Sequence, residues 1–346
     1  MQFSKDFQFL VAQKAFAFLT TILLAFTIGN YWALVAGILA GSVAGLCLSY
    51  IMHDYRPRWD LSRSREVWRF SLWMLAQHIF NFLNDRVDEF IVGRFKGTHP
   101  MGLYSVAADV GAAPVREIIG PSARVLFPAF STIANDRVAV TSTFEKVSGA
   151  VAIMAFALGP GTALIASDFV IVVLGEKWIG TVSIVQYLAI SAAVAALSQA
   201  QISIMPVLGR ERLSVKLLAI RLLLLTFFMT FAAIYGDVEA IAAARLLAVA
   251  ATFLIIVGVC ARLPEIRIHF RTVWRPLLAC IAMSMAVVTV QNIGLDTPVA
   301  RLVMAILSGA FVYTVAIVGL WVFAGKPPSI EADLFASLRR TALPPK

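Results

Sequence analysis

Charge is scarce in this chain. Asp, Glu, Lys and Arg make up 14% of it against 60% hydrophobic residues, with a mean hydropathy of +0.84, where a soluble domain carries roughly a quarter charged residues. So little polar surface excludes a water-soluble globular body. Cysteine is scarce as well: Cys47, Cys260 and Cys280 each fall inside an apolar run, a number and spacing that support neither a disulfide framework nor a zinc site. The four histidines, His53, His78, His99 and His269, lack ligand spacing, and neither a glycine-rich phosphate loop nor an HExxH motif occurs. Metal, cofactor and enzyme signatures are therefore all missing, and none of the three is expected.

What the chain has is apolar runs long enough to span a bilayer, which takes about 20 residues each. Ten can be marked: 7–28, 31–51, 70–92, 101–119, 147–166, 181–200, 213–233, 238–260, 274–290 and 299–323. The expected fold is all-α and polytopic, with about ten transmembrane helices. The third and fourth runs are the most polar, and the charge distribution is what retains them. With all ten, 21 of the 29 Lys and Arg lie on the side holding both ends of the chain, four lie opposite and four lie within runs. By the positive-inside rule that side is cytoplasmic, and removing any one run would scatter the bias. The net charge of +9 is thus an orientation signal, and no nucleic-acid partner is expected.

The connections on the opposite side are a few residues each, leaving no outer domain to hold catalysis. Lys5 ahead of an apolar run imitates a signal peptide, but Lys14 interrupts the run and no small-residue cleavage site follows Ile28, so an uncleaved helix is expected. Segment 53–69, with Pro57, Trp59 and five arginines, is the expected linker between two helical groups. In the second run Gly37, Gly41 and Gly45 repeat at four-residue spacing, a face that lets another helix approach closely.

The third run concentrates the polar chemistry. At about 100° per residue, Gln77, His78, Asn81, Asn84, Asp85, Asp88 and Glu89 share an arc of roughly 140°, opposite Leu72, Leu75, Ile79, Leu83 and Phe90. Each central charge turned to lipid would cost at least about 2.5 kcal/mol, so this face must meet a neighbouring helix or line a watery cavity. Both uses stay open. Arg86 borders the arc, close enough to Glu89 for a local ion pair.

The fourth run holds Asp109 near its middle, with Pro114, Gly120-Pro121 and Pro128 after it. That composition predicts a helix broken repeatedly, which membranes tolerate where freed backbone groups face protein or water. Arg116 and Arg124 fall toward its cytoplasmic end, placed either to meet an anionic headgroup or to anchor the helix. Lys14, Arg221 and Arg245 lie inside span ends, and snorkelling to the interface is expected for Arg245.

Several strings together resemble the polysaccharide transporter family, the Wzx-like flippases of the multidrug/oligosaccharidyl-lipid/polysaccharide exporter superfamily. They are Asn84-Asp-Arg-Val-Asp88 with Ile91-Val-Gly-Arg94, Gly102-Leu-Tyr-Ser-Val-Ala, Pro114, Pro121 with Arg124 and Phe127-Pro, Leu174-Gly-Glu-Lys-Trp178, and Leu208-Gly-Arg210. The resemblance implies two facing six-helix bundles around a central cavity. Only two runs precede the linker here, so an incomplete first bundle lacking four helices is expected. On that plan 1–52 supplies the last two helices of the first bundle, 53–69 a basic cytoplasmic linker, 70–262 the second bundle, and 263–346 an extra helix pair with a cytoplasmic tail.

The resemblance further implies flipping of undecaprenyl-pyrophosphate-linked oligosaccharide across the bacterial cytoplasmic (inner) membrane for lipopolysaccharide or exopolysaccharide synthesis. Lipid-linked oligosaccharide, membrane lipids and polysaccharide polymerase machinery are the partners it suggests. Arg86, Arg116 and Arg124 are then candidate headgroup contacts, and Asn81, Asn84, Asp85, Asp88, Glu89 and Asp109 candidate cavity-lining or coupling-ion residues. The rival readings are a cation-coupled multidrug-type exporter, an inactive flippase fragment, and a multispan glycosyltransferase, which would need an outer loop that is not visible.

Overall fold

The computed structural model describes residues 3–52, 64–132, 137–263, 270–293 and 297–325. Most of the basic linker, 53–63, and the C-terminal tail from 326 lie outside the described residues. Ten α-helices follow in order: α1 Phe3–Ile28, α2 Trp32–Met52, α3 Ser64–Lys96, α4 Thr98–Thr132, α5 Arg137–Phe169, α6 Val182–Ile204, α7 Glu211–Tyr235, α8 Val238–Cys260, α9 Phe270–Asn292 and α10 Pro298–Phe323. Between α5 and α6 the chain passes through a π-helical turn, Val170–Leu174, and a 3-10 turn, Glu176–Thr181. Strands are absent among the described residues.

Each of the ten expected runs coincides with one helix. Eight are long and apolar enough to cross a membrane, and α3 and α4 are not among them. Length is not their shortfall: at 33 and 35 residues they extend about 50 Å at 1.5 Å per residue, against roughly 30 Å of hydrocarbon. Their polar residues are the shortfall. Large apolar side chains stand uncovered elsewhere, Phe26 at 90% exposure and Phe323 at 87%, as lipid contact requires and water contact forbids. The chain is a multi-pass membrane protein.

The expectation that α4 is broken does not hold. It is helical from Thr98 to Thr132 without interruption. Each proline removes a single backbone donor, and the helix continues through Pro114, Pro121 and Pro128. Proline also lies inside α5, at Pro160, and inside α9, at Pro276.

Two compact units divide the chain at residues 68 and 69. In the first, Gly37, Gly41 and Gly45 of α2 receive Thr21, Ala17 and Gln13 of α1, and a Cβ built on Gly41 would lie 2.6 Å from the Ala17 Cβ. The four-residue glycine repeat thus serves the close approach it suggests.

In the second unit α6 runs against α4, α5 and α8, α7 pairs with α8, and α9 packs on α5 and α10. Small residues again set the spacing. A Cβ on Gly111 of α4 would come within 3.0 Å of the Val185 carbonyl, and one on Gly159 of α5 within 2.4 Å of the Ala193 Cβ. Connections at one end of the unit are tight: Gly97, at φ 91°, is the single residue between α3 and α4, a left-handed conformation that other residues enter only with strain.

Candidate functional site

The long polar arc of α3 divides in two. Gln77, Asn84 and Asp88, spaced seven and four residues apart, turn inward and are buried. Asn81 and Glu89 are half-buried at the flanks, and His78 and Asp85 are exposed. One turn of packing covers less than the arc spans, so only part of it can enter the protein. Of the two uses open to this face, the inner half takes the first: it bonds neighbouring helices.

Those bonds come from three elements. The Asn84 amide Nδ2 donates to the Phe80 carbonyl at 2.6 Å and across to the Leu218 carbonyl of α7 at 3.1 Å. One Asp88 oxygen, Oδ2, accepts from the Tyr104 hydroxyl of α4 at 3.3 Å and from Nη1 of Arg245 on α8. Asp88 is 3% exposed. Arg245 therefore does not snorkel. A carboxylate buried in an apolar unit demands a cation, and a long side chain that can satisfy it gains more than by reaching water.

Arg221 of α7 is also buried, 6% exposed, and its Nε has no hydrogen-bond partner among the described residues. The charges of Arg221, Arg245, Asp88 and Arg86 all act on Asp85, which itself forms no hydrogen bond or ion pair among the described residues. Two acids from α3 and two arginines from α7 and α8 thus share one region. Their sequence separation hid this grouping; Arg221 and Arg245, lying some residues inside their span ends, were its one visible signal.

Arg86, Arg116 and Asp109 lie on open surface. Arg86 Nη1 donates to both Glu89 oxygens, at 2.9 and 3.1 Å. On α4, Arg116 bridges Asp109 through Nη1 and Glu117 through Nε, both at 3.2 Å. Two of the three headgroup candidates are therefore each held by an acid, and two of those acids are coupling candidates. The side chain of Arg124 lies outside the described residues. Among the described residues no group of three or more His, Cys, Asp or Glu is placed to hold a metal ion.

A further ionic tie escaped the sequence reading. Asp168, at the end of α5 and 1% exposed, accepts from Arg301 of α10, Nε lying 2.8 Å from Oδ1. Gln291 Nε2 donates to the Leu164 carbonyl at 2.7 Å and the Tyr313 hydroxyl to the Ile153 carbonyl at 2.6 Å. These three bonds fasten α9 and α10 to α5 at successive levels. Asp168 sits just past the apolar run that defined its helix, where a charge reads as an ordinary end residue.

A bundle of this kind, with polar groups turned into it and two α9–α10 helices docked at its side, has the fold of a lipid flippase. It superposes on the lipid II flippase MurJ in its inward closed conformation with a TM-score of 0.69, over 90% of this chain and 67% of that one, at 12% identity. Residues 1–183 match the family described as "Polysaccharide biosynthesis protein"; the chain belongs to that family. Relatives include an uncharacterized membrane protein in the cps region of Klebsiella pneumoniae, 29% identical over 245 residues, which are 68% of this chain and 50% of that protein. The lipopolysaccharide biosynthesis protein WzxC of Escherichia coli is 27% identical over 169 residues, 46% of this chain and 34% of its own. The succinoglycan biosynthesis transport protein ExoT of Rhizobium meliloti is 24% identical over 180 residues, 51% and 36%. The chain spans at most half the length of these curated relatives.

Proposed function

We propose that the chain moves undecaprenyl-pyrophosphate-linked oligosaccharide from the inner to the outer leaflet of the bacterial cytoplasmic membrane, for cell-surface polysaccharide synthesis. The observation that carries this reading is membership of a polysaccharide biosynthesis family in a chain with the flippase fold. Its task is transport rather than bond chemistry. Both ends of the chain face the cytoplasm by the charge bias, and polymerase machinery takes up the delivered unit. On this reading 1–52 supplies the last two helices of a first bundle, 53–69 is the basic cytoplasmic linker, 70–262 forms the second bundle, and 263–346 adds an extra helix pair and cytoplasmic tail.

The mechanism is alternating access. The lipid tail stays in the bilayer while pyrophosphate and sugar pass along polar helix faces, and arginine is the residue suited to pyrophosphate because its planar fork binds two oxygens at once. Arg86 and Arg116 are the contacts, with Arg124 as a third. Each of the first two rests on a carboxylate, Glu89 or Asp109. An arriving pyrophosphate displaces that carboxylate, which then takes a proton or cation in exchange. Substrate binding and ion uptake are thereby the same event. Asp85, exposed and without a hydrogen-bonded partner, is the third acid available for coupling, with Asn81 beside it.

The test is complementation of a flippase-deficient bacterial strain by this chain, scored by surface polysaccharide. Restored polymer that is lost again in the Arg86→Gln, Arg116→Gln double variant supports the reading. Export of a cationic dye without restored polymer would instead favour a multidrug-type exporter, and failure of both would leave the chain without transport activity of its own.

A further inference from the structure

The polar residues of α3 come in two matching sets. Asn84 and Asp88, four residues apart, are 1% and 3% exposed; Asn81 and Asp85, also four apart and three residues earlier, are half-buried and exposed. Three residues turn an α-helix by about 300°, so a rotation of roughly 60° about its own axis brings the second set to the azimuth of the first.

The seam that the first set enters is only partly satisfied. Among the described residues Gln77 Oε1, Asn84 Oδ1 and Asp88 Oδ1 are buried acceptors without partners, and Arg221 Nε is a buried donor without one. One buried arginine, Arg221, and one partly buried, Arg245, face a single buried acid. Asp88 pairs with Arg245, while Arg221 has no such acid, and among the arginines it is Arg221 that acts most strongly on Asp85. Pairing Asp85 with Arg221 would relieve one buried charge as it leaves another, so two arrangements of similar cost are available.

The attachment of α3 permits such a turn. Among the described residues its backbone is not one of those that run closely against a neighbour; Ile91 and Val92, 4% and 0% exposed, pack into the core near its end, and elsewhere long side chains span the gap. Arg212 of α7 lies 5.4 Å from the Trp73 ring, Asn84 reaches the Leu218 carbonyl, and Lys96 Nζ donates to the Gly236 carbonyl at 2.6 Å. At its end Gly97, at φ 91° with open space where a Cβ would stand, is the only link to α4.

We propose that α3 has two seats, the one seen, with Asn84 and Asp88 inward and Arg245 paired, and a second, turned by about 60°, with Asn81 and Asp85 inward and Arg221 paired. Arg221 is a positioning residue for the second seat. The alternation itself follows from the geometry of α3, α7 and α8; only its use, to open and close a polar path, rests on the transport reading.

The test measures distance rather than transport. Spin labels replace Phe82 or Phe90 on α3, each paired with a label at Phe227 on α7, three exposed positions, in a full-length Cys47→Ser background where Cys260 and Cys280 are buried. Phe82 and Phe90 differ by about 80° around the helix, so a turn changes at least one distance, by about 5 Å, the radius of a helix with its side chains. In the unaltered polar background the second distance is expected at no more than about a tenth of the population. Asp88→Asn makes it the majority, and Asp85→Asn added to Asp88→Asn abolishes it; position 85 is exposed, so that change spares folding. Should Asp88→Asn not fold, Arg245→Lys weakens the same pair and must shift the population in the same direction. A single unchanged distance for both label pairs overturns the proposal, as does a second distance that persists without Asp85. Two distances in a protein that moves no lipid would overturn the transport reading alone.

Discussion

Replacing Arg245 by methionine is expected to cost far more stability than replacing any exposed arginine, and the structure sets the size. The change removes the guanidinium from Asp88, a carboxylate 3% exposed, and leaves its Oδ2 with only the Tyr104 hydroxyl at 3.3 Å. Removing one partner of a buried ion pair costs about 3–5 kcal/mol, whereas an exposed pair such as Arg86 with Glu89, where Arg86 is 60% exposed, contributes roughly 0.2–1 kcal/mol. At about 2–4 °C per kcal/mol, Arg245→Met should lower the melting temperature by roughly 6–20 °C and Arg86→Met by about 4 °C or less. A thiol-reactive fluorophore on detergent-solubilised Cys47→Ser protein reads this directly, because Cys260 and Cys280 are buried until the helices part. The Asp88→Leu, Arg245→Met double variant should recover most of the loss, since no unpaired charge remains. Melting of Arg245→Met at the temperature of Arg86→Met, or a double variant as unstable as the single one, would refute the reasoning.

Other outcomes follow from the same structure. Gly41→Ala places a Cβ 2.6 Å from that of Ala17 and should destabilise the α1–α2 hairpin by about 1–3 kcal/mol, with Ala17→Gly restoring it; limited proteolysis of the hairpin checks this. Arg301→Gln leaves buried Asp168 without its cation, so amide exchange should rise in α9 and α10 while α7 and α8 keep their protection. Arg116→Gln, at an open surface, should change stability by no more than about 1 kcal/mol yet weaken binding of a pyrophosphate lipid to the purified protein about tenfold, the loss of one charge-assisted contact. Equal affinity of that variant and the parent would remove Arg116 from the substrate path.

The helices were readable because a membrane span has a fixed length, and the ten apolar runs meet it. Charge bias retained α3 and α4 where hydropathy alone discards them. The glycine repeat of α2 was readable for a similar reason: spacing of four residues fixes a face, and a bare face invites a neighbour. Asp88 was visible as part of a polar arc, but an arc of about 140° is wider than one seam, and sequence spacing does not choose between Asp88 and Asp85. Nor does it pair residues 157 positions apart, as Asp88 and Arg245 are; Arg245 alone looks like a side chain seeking the interface. Proline misled at α4, where local propensity argues for breaks and the helix nonetheless runs unbroken from Thr98 to Thr132. Asp168 and Arg301 were missed because charges at span ends look alike whether they meet water or each other.

The most direct measurement is translocation itself. The full chain is reconstituted in liposomes carrying undecaprenyl-pyrophosphate-linked oligosaccharide in the inner leaflet, and arrival of sugar at the outer surface is followed with a lectin. The expected result is lectin binding that grows with time, needs the protein, and falls in the Arg86→Gln, Arg116→Gln double variant. Liposomes containing folded protein that expose no more sugar than empty ones would contradict the account.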